Sequence, residues 1–146
     1  ATPDGTGSTG SEVLDDYETG TWTAAMTAGT GTITIGAAYK TGTYVKIGNQ
    51  VTILGYFSVD AISTPSGEFN ITGLPFTPSE SLTASAGISI TAQALATAVS
   101  TYVTGTVARL GAKITVRENG TTGNGATFAA NVDTGTVFNI GGTYTV

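Results

Sequence analysis

The segment YVKIGNQVTILGYFSV, residues 44–59, most constrains the fold, because it predicts a β-hairpin whose two faces are both apolar. Its central Gly48-Asn49 pair is typical of a two-residue turn, since these residues tolerate the positive φ that a right-twisted hairpin needs. The side-chain period of two puts Tyr44, Val51, Ile53, Phe57 and Val59 on one face, and Val45, Ile47, Leu54 and Tyr56 on the other. A half-exposed sheet would have one polar face, so something must cover the second one.

The sequence leaves two covers for this second face open. One is a neighbouring subunit of an oligomer, and the other is a second sheet of the same chain. Burying the four side chains would contribute about 1.5 to 3 kcal/mol each before the entropy of association is subtracted. We therefore predict a subunit interface formed by Val45, Ile47, Leu54 and Tyr56.

Composition favours strands over helices along the rest of the chain. Twenty-one glycines, many threonines and only 10% charged residues favour short strands joined by tight turns. Turn residues at 28–31 and 63–67 predict breaks between strands. We expect an all-β fold, a β-sandwich or jelly roll of short antiparallel strands, in a single domain over residues 13–146. Residues 1–12 are rich in Gly, Ser and Thr and predict a flexible linker or tail.

Charge and residue usage exclude several functions. A net charge of −5 with five Lys and Arg provides no basic surface for nucleic acid, and no apolar run is long enough for a membrane helix. The chain has no Cys and no His, the usual nucleophile and general base. Acid pairs beside loops, Asp60 with Glu68 and Glu118 with Asp133, are compatible with glycoside hydrolysis, but sparse acids near loops are common. We expect no enzymatic activity, no cofactor and no metal.

Ligand contacts are expected on loops, because a rigid sheet positions them. The predicted tips are residues 60–67, 92–102 and 119–125. Aromatic rings could stack on a sugar, but such residues are more often core and interface anchors. The candidate ligand or receptor contacts are Trp22, Tyr102, Asp60, Asn119 and Asn124.

Four motifs, in order along the chain, resemble a module common at the C-terminal ends of bacteriophage tail fibres and related virion proteins. They are LDDYETGTWT (14–23), YVKIGNQVTILG (44–55), FNITGLPFT (69–77) and GTYTV (142–146). Residues 79–112 match no such motif. The resemblance implies a non-enzymatic, all-β virion module, typically a homotrimer, at the exposed end of a fibre or spike.

Three hypotheses follow from the residues and the resemblance together. The first is a tail-fibre or spike tip that attaches to a host-surface glycan or protein. The second is a capsid-decorating or head-fibre protein, with a purely structural role, and the third is a monomeric carbohydrate-binding module. In the first two, the N-terminal tail contacts other virion proteins, and the chain is assembled in the host cytoplasm into the virion.

Overall fold

A computed structural model describes residues 17–81, 85–96, 102–119 and 128–146, so the predicted tail at 1–12 lies outside the described residues. The described residues form eight strands, all paired antiparallel, and two short 3-10 helices, at Ala37–Tyr39 and Phe128–Asn131. This confirms the all-β prediction. The strands are β1 (Tyr17–Thr23), β2 (Ala25–Ile35), β3 (Thr41–Ile47), β4 (Gln50–Thr72), β5 (Ala86–Gln93), β6 (Tyr102–Val107), β7 (Lys113–Asn119) and β8 (Val137–Thr145).

The predicted hairpin is present as β3 and β4. Ile47 lies opposite Gln50 across the Gly48-Asn49 turn, and Gly48 has a φ of +57°. The face predicted to be internal is buried, with Val51, Ile53 and Phe57 fully covered. The turn residues therefore set the register, as the period of two requires.

Strand β4 is 23 residues long and has partners along both edges. Its first half pairs with β3 and β8, and its second half pairs with β2 and β7. The pairing continues from β7 through β6 and β5 to β8, so β4, β7, β6, β5 and β8 close a five-stranded barrel. The predicted sandwich of short strands is not confirmed. Instead of two packed sheets there is a single sheet, which closes because the long, twisted β4 pairs with both β8 and β7.

The predicted turns at 28–31 and 63–67 are bends inside paired strands. The β2–β4 register shifts there, and Gly31, Thr64 and Gly67 have positive φ, as bulges require. A straight β2 would span about 35 Å. Nevertheless Ala24, just before β2, donates its N–H to the Lys40 carbonyl at 2.8 Å, only a few residues after β2 ends. The β2–β4 ribbon therefore folds back on itself.

Aromatic rings fill the centre of the core. Phe69 stacks on Phe138 with ring centroids 5.1 Å apart, and Phe128, from the second 3-10 helix, meets Phe138 edge-on. Such pairs stabilise beyond the area that they bury. The largest fully buried side chains are Tyr144, Phe57, Phe69, Phe128, Phe138, Ile53, Ile71, Ile114, Val51, Val107, Val116 and Val132.

The segment after β4 is held against the inner face by Tyr144. The Tyr144 hydroxyl donates to the Phe76 carbonyl at 3.0 Å and accepts from the Phe76 N–H at 3.3 Å. Ser79 then donates its N–H to the Thr145 carbonyl. Burial raises the pKa of Tyr144 to about 12, while its hydrogen bond with the Phe76 backbone acts in the opposite direction.

Gly42→Ala should destabilise the fold. A Cβ at Gly42 would lie 2.5 Å from Trp22 Nε1 and 2.6 Å from the Leu54 carbonyl oxygen, so the backbone must shift. We expect a loss of about 1 to 3 kcal/mol in the free energy of unfolding, measured by urea denaturation. Gly87→Ala is the matched control, since nothing lies within 4 Å of its added Cβ. Equal midpoints for the two variants would contradict the packing described.

Stability should fall at alkaline pH because of Tyr144. Folding favours the protonated phenol, whose pKa rises from 10.0 to about 12, so its contribution is complete below pH 10 and is lost between pH 10 and 12. Urea midpoints across this range should fall less steeply for Tyr144→Phe. That variant should also lose about 1 kcal/mol at neutral pH, because the Phe76 carbonyl loses its donor. The exposed Tyr102→Phe is the control, and an unchanged slope in Tyr144→Phe would refute the assignment.

Candidate functional site

The outer side of the sheet formed by β1, β3, residues 50–58 of β4, β8 and β5 is one continuous surface whose described residues carry no charge. Its register is fixed by pairs such as Thr43 with Leu54 and Leu54 with Gly141. Among the described residues, the outward positions of β1, β3, β5, β8 and residues 50–58 of β4 include no Asp, Glu, Lys or Arg, and Asp60, two positions beyond Ser58, borders this surface. We call this surface the uncharged face, and its central residues are Thr19, Thr21, Thr43, Val45, Ile47, Thr52, Leu54, Tyr56, Asn139 and Thr143.

The predicted interface residues lie together at the centre of the uncharged face. Leu54 is 59% exposed, Tyr56 50% and Ile47 44%, while Val45 is half-buried. The sequence left open that a second sheet of the same chain covers these side chains. No sheet formed by the described residues does so. Large apolar side chains grouped on an uncharged surface are typical of a contact surface.

The opposite outer surface is different. There, Lys113 Nζ lies 2.9 Å from Glu68 Oε1, and both side chains are about half exposed. The Lys113 hydrogen bond, followed by one from Asn70, lowers the pKa of Glu68. Arg117 adds a second cation on this side. This ion pair and Arg117 thus lie on a surface distinct from the uncharged face.

A small cleft lies beside the uncharged face. It is bounded by residues 36–39 and 58–60 and has a volume of about 260 Å³. The half-exposed Tyr39 borders this cleft. Its ring contacts the Tyr56 ring, with the centroids 5.9 Å apart and the ring planes at 60°. A shallower depression of about 430 Å³ lies on the other side of this aromatic pair, along Thr41, Leu54 and Asn139.

The structure separates the candidate ligand contacts. Trp22 is a core residue, 3% exposed and edge-on to Phe57 at 5.4 Å, so its ring faces are not open to a ligand. This corrects its interpretation as a surface contact: an inward position of β1 places it over the core. Tyr102, 57% exposed, begins β6 opposite Asn119, the last residue of β7. Asn124 lies outside the described residues.

Asp60 is exposed and lines the small cleft, away from the β6–β7 end. The sequence identified Asp60 as a contact but did not single out Tyr39 or Gly36, which complete the cleft. The signal available was weak: Tyr39 is one of six tyrosines, and only pairing with Tyr56 distinguishes it.

Within the described ranges, no group of three or more acidic, His or Cys side chains is placed to hold a metal ion. The described part of the chain likewise contains no helix with the length and apolarity to cross a membrane. The acid pairs named above are separately engaged: Glu68 with Lys113, and Glu118 with the Asn131 amide at 3.2 Å.

No protein-family model and no curated protein matches the chain. Among solved structures, it is similar to the crystal structure of the Dettilon tailspike protein (gp208), with a TM-score of 0.79 and 22% sequence identity. The match covers 88% of this chain and 24% of the tailspike chain, so the chain spans about a quarter of that protein's length. The chain therefore has a fold that is also found in part of a tailspike protein.

Proposed function

We propose that the chain is a module of a bacteriophage tail structure, a fibre or spike tip that takes part in attachment to the host surface. The observation that carries this proposal is the match of nearly the whole chain to part of a tailspike protein, at a TM-score of 0.79. The resemblance of the four sequence motifs to tail-fibre modules points to the same class. The proposed role is structural and adhesive rather than enzymatic, and its place is the virion.

The proposed assembly is a homotrimer held together through the uncharged face. Five strands about 4.8 Å apart and seven residues long give a surface of roughly 550 Å². Three such surfaces meeting at a threefold axis would together remove about 1,600 Å², or roughly 550 Å² at each of the three pairwise contacts, so the proposed trimer also needs contacts beyond this face to reach the size of a standard specific interface. A surface without charge suits this role, because no ion has to leave water when the subunits meet.

The uncharged face can be tested through the mass of the chain in solution. We expect light scattering on a sizing column to give three times the monomer mass over a tenfold concentration range. Leu54→Lys should shift the mass toward the monomer, since it would place three ammonium groups at one axis. Thr27→Lys is the matched control, because Thr27 is an exposed strand residue beside Asn70 on the charged side.

The outcomes of this experiment separate the proposed assemblies. A wild-type monomer at every concentration would rule out the trimer and favour a monomeric carbohydrate-binding module. A trimer that Leu54→Lys leaves intact would show that the subunits meet on another surface. Circular dichroism of each variant establishes that it is folded before the masses are compared.

The place in the virion is tested separately, by electron microscopy of phage particles labelled with antibodies against this chain. Label at the tail tip is expected. Label distributed over the capsid would overturn the tail proposal and favour a capsid-decorating or head-fibre protein. Antibodies that neutralise adsorption to bacteria would further support a role in attachment.

A further inference from the structure

The small cleft at residues 36–39 and 58–60 has walls that backbone hydrogen bonds hold in place. The Gly36 N–H donates to the Ser58 carbonyl at 3.0 Å, and the Tyr39 N–H donates to the Gly36 carbonyl at 2.8 Å. The first bond joins the two walls, and the second forms the 3-10 turn that carries Tyr39. The cleft is therefore preorganised, which reduces the ordering that a ligand must impose.

Asp60 supplies this cleft with a carboxylate that has no partner among the described residues. In the part of the chain that the structure describes, Asp60 forms no ion pair or side-chain hydrogen bond. Other acids do have partners: Glu68 pairs with Lys113, and Asp133 accepts from the Thr134 N–H at 2.7 Å. An unpaired carboxylate at the border of a cleft is available to a cationic ligand.

An aromatic ring borders the same space. A Cβ built on Gly36 would lie 3.3 Å from Tyr39 Cδ2 and 3.7 Å from Asp60 Cβ, so the ring and the acidic side chain flank the space above Gly36. A glycine at this position keeps that space open. Tyr56 supports the Tyr39 ring from the other side. A carboxylate beside an exposed aromatic ring is the combination that recognises organic cations.

We propose that this cleft binds an organic ammonium group, held by the Tyr39 ring and the Asp60 carboxylate. Its volume of about 260 Å³ lies just below the usual range of small-molecule pockets, which suits a single small head group. Gly36, Ala37 and Ala38 supply apolar lining, and Ser58 and Asp60 supply the polar side chains. This inference does not rest on the proposed tail function or on the trimer, and it shares with the proposed subunit interface only Tyr56, which contacts the Tyr39 ring.

The test is a titration of the full chain, followed through the NMR signals of the tyrosine rings at constant ionic strength. The probes are choline chloride, which carries a quaternary ammonium, and Nα-acetyl-lysine amide, which carries a primary one. The controls are 3,3-dimethylbutan-1-ol, the neutral carbon isostere of choline, and glucose. We expect saturable shifts of the Tyr39 ring with at least one cation, and much weaker shifts with both neutral compounds.

Three variants tie binding to the cleft. Asp60→Asn and Tyr39→Ala should each weaken the affinity about two- to fivefold, the range for a partly exposed charge or cation–π contact. Gly36→Val should remove binding by filling the cleft, and Gly36→Ala is a milder version, should the larger residue disturb the fold. Tyr102→Ala removes an exposed ring elsewhere and should leave the affinity unchanged.

The proposal fails if the neutral isostere or glucose binds as tightly as the cations, since the cleft would then recognise apolar surface or sugar. It also fails if Asp60→Asn leaves the affinity unchanged in a folded protein, or if neither cation gives a saturable shift. None of these results depends on the mass in solution or on the position of antibody label. Failure of the cation site is thus distinguishable from failure of the tail proposal.

Discussion

The rest of the structure depends on hydrogen bonding along both edges of β4. A strand of 23 residues paired on one edge only would leave a long open edge, which is a template for aggregation. Here β3 and β2 occupy one edge in turn, and β8 and β7 occupy the other. Strands β7, β6, β5 and β8 form a series, and β4 pairs with the strand at each end of it. Because β4 closes the barrel in this way, its twist fixes the barrel's curvature. It also fixes the outward direction of Leu54 and Tyr56, and the place of Asp60 beside the cleft.

The hairpin was predictable from the sequence because its information is local. Gly48-Asn49 specifies the turn, and alternation from residue 50 onward specifies which side chains are internal. Barrel closure was not predictable in this way. It depends on pairs such as Gln50 with Thr145, almost a hundred residues apart, and no local pattern encodes such a pairing. The turn residues at 63–67 were identified correctly as irregular, but bulges allow pairing to continue through them.

The candidate site was likewise predictable only where its information is local in the sequence. Asp60 was recognisable as a charge beside turn residues, whereas its neighbour Tyr39 required the fold, because the ring reaches the cleft only through the bend at Gly36. Trp22 shows the limit of residue type as a guide: an indole suits a sugar platform and a core equally well. Trp22 is a core residue because it occupies an inward position on β1. The four residues predicted to form an interface were identifiable as a set because they share one face of the hairpin, and the structure places them together on the uncharged face.

Closure by β8 has a consequence for how the protein is made. Residues 137–145 complete the barrel, so β1 to β4 leave the ribosome well before their last partner does. During synthesis, the nascent sheet exposes Val51, Ile53 and Phe57 on one surface and the uncharged face on the other. Both surfaces are then prone to aggregation. The barrel can close only after β8 has left the ribosome, and pairing between strands so far apart in the sequence is slow. The time for which these apolar surfaces stay exposed is therefore set by the interval between translation of β4 and translation of β8.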